Sequence, residues 1–298
     1  MKLRTKMLSV AASVLAMAAG SLAGSAETDT NLFFFVADTH IREKDADGKP
    51  GDPGTAAKLT ACVHKILAKK PYPSVVIFCG DLTDNGRPEQ MARFRTLIQP
   101  LRDAGIKCQP MSGNHDYYAG RHAELFASEL AASPVSGKVV SVVETPAVDI
   151  VCLDTADMET HDGSWGRING AQLEWLKGYM KKNDGHKPYF ICAHHPLRQV
   201  PIPVGVDLFH AATGWIGGHF HVWHDTAKNE WEVSVVYIPS TRDGRDPSCV
   251  AMRRVSGGFS FTLMSTDEKD PKNGQSFSVK DKAPSKNESA AADRKEFP

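Results

Sequence analysis

Asn31-Leu-Phe-Phe-Phe-Val-Ala37, closed by Asp38-Thr-His40, is the stretch that decides the fold. A short apolar run rich in aromatic residues and cut off by polar ones reads as a buried strand. The same form recurs at 74–79 before Gly80-Asp81, at 106–111 before Gly113-Asn-His-Asp116, at 148–153, at 188–193 before His194-His195-Pro196, and at 214–217 before Gly218-His-Phe-His221. Between these runs lie helix-like stretches at 55–69, 88–104, 122–132 and 171–181, the last with Leu173 and Leu176 spaced for one face. Strands alternating with helices predict an α/β protein with sheets that are at least partly parallel. From Trp231 the pattern changes to apolar runs at 231–238, 248–254 and 258–264 with Gly and Pro between them. These predict antiparallel strands that close a second sheet.

Working outward, residues 2–6 are basic, an apolar run of about a dozen follows, and small residues lead to Ala26. That order predicts a cleavable signal peptide over 1–26 and export to the periplasm or the medium. Ser25 stands where a lipoprotein motif would need cysteine, so no lipid anchor is expected. Residues 266–298 are polar with mixed charge and are expected to form a disordered tail. The span 27–265 leaves roughly 240 residues, one domain of the larger kind with ample length for a core.

The full chain balances 35 basic against 35 acidic residues. Removing the leader takes away Lys2, Arg4 and Lys6 and no acid, so the mature chain turns slightly acidic. A protein that holds nucleic acid stably shows a basic excess or stripe. Neither is present, which argues for a small substrate and against a stable nucleic-acid partner. Outside the leader no apolar run could span a bilayer, so no membrane partner is expected after cleavage. The six cysteines survive cleavage, and several sit within apolar runs, where a free thiol packs as a small hydrophobe.

The strand-end residues are of one chemical kind. Carboxylate, amide oxygen and imidazole, with no thiolate among them, suit Zn, Mn, Fe or Co in a borderline-hard site. Asp38, His40, Asp81, Asn114, a histidine of the 194–195 pair, His219 and His221 are too many ligands for one four-coordinate ion. Two ions sharing a carboxylate would use them all and could clamp a phosphoryl group. In α/β folds the carboxyl ends of strands are where sites are built.

In this order, D-x-H, G-D, G-N-H-D, a lone H and G-H-x-H, the blocks from Asp38 to His221 resemble the calcineurin-like metallophosphoesterase superfamily. The resemblance covers about 190 residues and implies a two-sheet α/β/β/α sandwich with mixed sheets. It implies an enzyme that hydrolyses phosphomonoesters or phosphodiesters with two divalent or trivalent transition-metal ions and a bridging hydroxide, and with the leader that enzyme is expected to be exported. It assigns Asp38, His40 and His221 to one ion and Asn114, His194 and His219 to the other, with Asp81 bridging. His194 is preferred to His195 because the family pattern places the ligand two residues before the proline. His115 would face the substrate as acid or charge stabiliser, with Asp116 orienting it from behind. The style is nearest to the branch of bacterial cyclic-nucleotide phosphodiesterases. Purple acid phosphatases carry a tyrosine ligand where this chain has Asp84. Some members of the superfamily are protein-binding modules that have lost ligands, and here none is missing. Tyr117, Tyr118, His161 and Arg198 lie on loops that could reach the pocket and select the substrate, and a turn role is expected for Asp84 and Asn85.

Overall fold

Alternation within β1 (Thr28–Val36) sets the layering. Successive strand side chains point to opposite faces, so Phe33 and Phe35 enter one apolar cluster while Leu32, Phe34 and Val36 enter another, all of them buried. Each fully buried phenylalanine contributes roughly 2 kcal/mol of transfer free energy. A strand this apolar on both faces must lie between two covering layers.

The computed structural model describes residues 27–44, 54–156, 163–201, 207–242 and 247–282. The signal-peptide reading at 1–26, His161, and the tail beyond 282 fall outside these residues. After β1 come α1 (Thr55–Leu67), β2 (Tyr72–Phe78), α2 (Pro88–Asp103), β3 (Lys107–Pro110), α3 (His122–Leu125), α4 (Ala127–Ala132), β4 (Ser141–Glu144) and β5 (Asp149–Leu153). The order continues α5 (Gly170–Asn183), β6 (Tyr189–Ala193), α6 (Asp207–His210), β7 (Gly214–Gly217), β8 (Lys228–Glu230), β9 (Val233–Tyr237), β10 (Ser248–Val255), β11 (Gly258–Ser265) and β12 (Ser276–Lys280).

They form two six-stranded sheets, ordered β12-β11-β10-β1-β2-β3 and β4-β5-β6-β7-β9-β8. β1, β2 and β3 are mutually parallel, as are β5, β6, β7 and β9, and the outer strands run antiparallel. Phe33, Phe35 and Ile77 of the first sheet share one cluster with Ile150, Phe190 and Ile216 of the second. On the first sheet's outer face Phe34 and Phe78 meet Leu59, Val63, Phe94 and Ile98 from α1 and α2. On the second sheet's outer face Ile191 and Trp215 meet Leu173 and Leu176 of α5 and Phe209 of α6. The architecture is therefore helix, sheet, sheet, helix, an α/β sandwich with mixed sheets.

Three expectations change. Of the late strands only β9 joins the second sheet, and it runs parallel to β7. β10 pairs with β1, with Phe35 opposite Val250, and β11 pairs with β10. The physical reason is the edge of β1 away from β2: its backbone groups are buried, so they need a partner strand. Folded structure also continues past 265, because Phe277 lies opposite Phe261 in β12 and Val279 is buried. Alternating Ser276-Phe-Ser-Val279 was the trace of that strand within a polar segment. Finally, the helix expected over 122–132 is split at Phe126, which takes φ −113° and is fully buried. Among the described residues no helix is long and apolar enough to cross a membrane. All six cysteines are free thiols, and the sulfurs of Cys79 and Cys192 lie 3.6 Å apart in the inter-sheet core.

Candidate metal centre

The first sheet delivers Asp38 and His40 just past β1, Asp81 past β2, and Asn114 and His115 past β3. The second delivers His194 past β6 and His219 and His221 past β7. Both sets leave the carboxyl ends of parallel strands, so face-to-face packing of the sheets brings them to one rim. The backbone there is bent sharply: Asp38, His40, Asp81, His219 and His221 all have positive φ, between 42° and 66°. Left-handed conformations cost an L residue about 1 kcal/mol or more and persist where the surroundings enforce them, commonly at functional sites. Here Asp38 N donates to Gly80 O at 3.2 Å, His40 N to Asp81 O at 2.9 Å, and Gly218 N to His194 O at 2.9 Å. Two glycines permit the close approach. A Cβ on Gly113 would fall 2.2 Å from Asp81 N, and one on Gly218 would fall 2.7 Å from Oδ2 of Asp38.

Donor atoms converge on two points. His194 Nδ1 lies 3.0 Å from the Cys79 carbonyl, which fixes that nitrogen as the donor and leaves a lone pair on Nε2. Around Nε2 stand Oδ1 of Asn114 at 3.0 Å, Nδ1 of His219 at 3.2 Å and Oδ2 of Asp81 at 3.3 Å. Acceptors crowded in this way repel one another unless a proton or a metal cation lies among them. The second point is drier. His40 is fully buried, and neither of its ring nitrogens has a hydrogen-bond partner. Its Nε2 is 3.6 Å from Oδ2 of Asp81, and Nε2 of His221 is 3.3 Å from Oδ1 of Asp38. Asp38, His40 and His221 offer ligand atoms that all lie within 4.8 Å of one another, as do Asp38, Asp81 and His194. Orphaned imidazole nitrogens beside carboxylates, with no thiolate, fit borderline-hard transition-metal ions.

The charges reflect this crowding. Burial pushes the Asp81 carboxyl up, but His194, with His40 and His115, overrides it and holds the group well below the usual range. Burial likewise opposes protonation of His194, yet Asp81 and then Asp38 raise it to about 9 in the metal-free chain. Burial, and then the charge of His194, lower His219 to about 4.

His115 sits at the edge of this group. Its ring meets His40 edge-on at 4.4 Å, its amide N donates to Oδ1 of Asp81 at 2.9 Å, and its Nδ1 lies 2.8 Å from the carbonyl of Asp84. Burial lowers its pKa against the pull of Asp81. Asp116 is not the partner of that ring. It is fully buried and accepts from Leu82 N, Thr83 N, Thr83 Oγ1 and Gly113 N, so it pins the loop carrying Asp81 to the loop carrying Asn114. Burial, and then Asp81, raise its carboxyl to about 6. The expectation that Asp116 orients His115 is thus corrected: a carboxylate already taking four donors satisfies backbone groups that would otherwise be orphaned.

His195 is occupied as well. One of its ring nitrogens lies within 4.8 Å of ligand atoms of His194 and His219, but Nδ1 is 3.0 Å from Thr155 Oγ1 and Nε2 3.0 Å from Gly163 O, so both nitrogens already have hydrogen-bond partners. Of the loop residues, Tyr118 packs on His115 at 4.4 Å, whereas Tyr117 turns away to donate to Asp154 at 3.0 Å. The Arg198 guanidinium lies 4.3 Å over the ring of Phe220, between His219 and His221 in sequence. The role of Asp84 is larger than a turn: its carboxylate is 3.6 Å from Nδ1 of His40, 3.1 Å from Arg42 Nε and 3.9 Å from an Arg242 nitrogen. Arg42 and Arg242 carry no motif, and no local pattern in the sequence pairs them.

With this geometry in place, comparison with known proteins adds the lineage. A family model described as calcineurin-like phosphoesterase matches residues 32–223. A "probable cyclic nucleotide phosphodiesterase" of Rhodococcus erythropolis is 29% identical over 191 residues, covering 62% of this chain and 58% of that protein. A "cAMP/cGMP dual specificity phosphodiesterase" of Mycobacterium tuberculosis is 30% identical over 180 residues, covering 59% of this chain and 52% of that protein. The chain spans little more than half the length of these relatives. Among solved structures, a purple acid phosphatase from yellow lupin seeds superposes with a TM-score of 0.54 at 14% identity, over 84% of this chain and 53% of that one, a likeness of fold.

Proposed function

Because this chain belongs to the calcineurin-like phosphoesterase family, we propose that it is an exported, metal-dependent hydrolase of small phosphate esters with a two-ion centre. The observation that carries the reading is the position of Asp81, whose carboxylate shares donor sets with His40 on one side and with Asp38 and His194 on the other. Asp38, His40 and His221 would hold one ion, Asn114, His194 and His219 the other, and Asp81 both. Ions held in this way supply Lewis acidity toward the phosphoryl oxygens and activate water for in-line attack.

The chain's own residues do the rest. Asp81 turns Oδ2 toward His40 and His194, where it would hold the ions, while Oδ1 accepts from His115 N, so one residue ties the donor sets to the histidine. His115 keeps Nδ1–H on the Asp84 carbonyl, which leaves Nε2 as the nitrogen that can exchange a proton with a substrate. An arriving phosphate ester brings negative charge that favours the imidazolium, and Nε2 then gives its proton to the leaving oxygen. Relatives named for cyclic-nucleotide and glycerophosphodiester phosphodiesterases favour a diester substrate. The basic-apolar-small order of residues 2–26 supports export.

The test is hydrolysis of bis(4-nitrophenyl) phosphate and 4-nitrophenyl phosphate before chelation, after it, and with Mn, Zn, Fe or Co restored. Turnover should vanish on chelation and return with metal. In the same assay His115→Ala should keep both ions and lose about a hundredfold or more in kcat. Full turnover by metal-stripped protein would overturn the reading, and wild-type turnover by the variant would remove His115 from it.

A further inference from the structure

Asn114 offers two unlike atoms on one amide, and only its oxygen can serve a cation. That oxygen lies inside the donor set, 3.0 Å from Nε2 of His194, while Nδ2 donates to the hydroxyl of Tyr118 at 2.9 Å. Asn114 is only 4% exposed, and among the described residues Tyr118 is the acceptor for this donor. The local backbone permits the meeting. His115–Tyr117 form a single 3-10 turn, with Tyr117 N bonded to Asn114 O at 3.1 Å and Tyr118 N to His115 O at 3.3 Å, and the flanking Asn114 and Tyr118 are themselves in right-handed helical conformation, a tight coil that returns the Tyr118 side chain to Asn114. The Tyr118 ring is braced on His115 and stands at the mouth of the site, 42% exposed.

Building on the two-ion reading above, we propose that Tyr118 is a positioning residue for the cation that Asn114, His194 and His219 would share. Its hydroxyl holds the amide plane, occupies Nδ2 and so keeps Oδ1 turned toward Asp81 and the two imidazoles. Polarising the amide through Nδ2 also strengthens Oδ1 as an acceptor. Without the hydroxyl, a buried N–H loses its partner, and the amide gains by rotating away from the donor set. Partners that orient a ligand from outside typically change metal affinity by about ten- to a hundredfold when removed.

Tyr118→Phe tests this without risk to the fold, because the ring keeps its contact with His115. Calorimetric titration of metal-free protein with Mn²⁺ should resolve two ions in the wild type. In the variant one of them should bind about tenfold more weakly, with the other within twofold. Starting from Asn114→Ala, the same tyrosine change should leave the remaining affinity untouched, as expected when two residues act through one contact. Equal weakening of both ions would mark a general structural role and overturn the proposal, as would unchanged affinity for both. A wild type that binds fewer than two ions would instead overturn the two-ion reading on which the proposal rests.

Discussion

The half of the site built on β1, β2 and β3 and the half built on β6 and β7 differ in kind. The first contributes both carboxylates, Asp38 and Asp81, with the Asn114 oxygen and His40, while the second contributes imidazoles alone, His194, His219 and His221. One half carries the charge that would attract cations, and the other would complete their coordination with nitrogen. Neither of the proposed donor sets is complete on one sheet. The halves meet because Phe35 and Ile77 pack against Phe190 and Ile216 in the shared core, so the integrity of the site reports the packing of the two sheets.

The largest effect should come from the charged half. Asp81→Ala removes the carboxylate common to both donor sets, and it should abolish binding of both ions and lower kcat more than about a thousandfold. His219→Ala, from the imidazole half, should cost the affinity of one ion. Metal content after dialysis, measured side by side on the two variants, checks the contrast. If Asp81→Ala kept one ion tightly while His219→Ala lost both, the division of labour would be reversed.

The residue types behind that contrast were largely legible in the sequence, since each candidate ligand lies within a few residues of the end of its own apolar run. Strand ending and ligand chemistry are both local, and the resemblance supplied their order. Contacts made across the chain were not legible. Asp116 reaches Leu82 and Thr83 some thirty residues back, and its adjacency to His115 in sequence suggested the wrong partner. Asp84 gathers Arg42 and Arg242 from opposite ends of the domain. β12 was hidden because one apolar pair, Phe277 and Val279, suffices for an edge strand lying on an existing sheet. β10 and β11 went to the first sheet because an open edge decides such pairing, and only the assembled layers show which edge is open.

A smaller effect separates the halves through pH. In the metal-free protein the pKa of His194 is raised to about 9, chiefly by Asp81 against the opposing effect of burial, while the unfolded value is near 6.5. Protonation of this group therefore adds stability that is fully present below about pH 6.5 and is lost as pH rises through about 9. Metal-free protein should melt several degrees lower at pH 9.5 than at pH 6.5. Metal-loaded protein should be much less sensitive over the same window, because a cation held by His194 would take the place of that proton. Differential scanning calorimetry at the two pH values, with and without metal, measures this. Equal pH sensitivity with and without metal would show that the imidazole half does not exchange a proton for a cation.

The smallest effect marks where the imidazole half ends. Asn169 caps α5, its side chain accepting from Gln172 N at 2.9 Å, and a cap of this kind contributes about 1 kcal/mol. Gln172 in turn brackets the backbone of Asp154, accepting from its N at 3.0 Å and donating to its O at 2.9 Å. Thr155, the next residue, hydrogen-bonds with His195, whose ring packs 4.5 Å from that of His219. A continuous path thus runs from the outer helix to an imidazole of the site. Packing of Leu173 and Leu176 on the second sheet should nevertheless hold α5 in place when its cap is lost. Asn169→Ala is therefore expected to lower stability in urea by about 1 kcal/mol and to leave both metal affinities within twofold. A selective loss at one ion would place the outer helix inside the machinery of the imidazole half and leave the charged half as the more self-contained of the two.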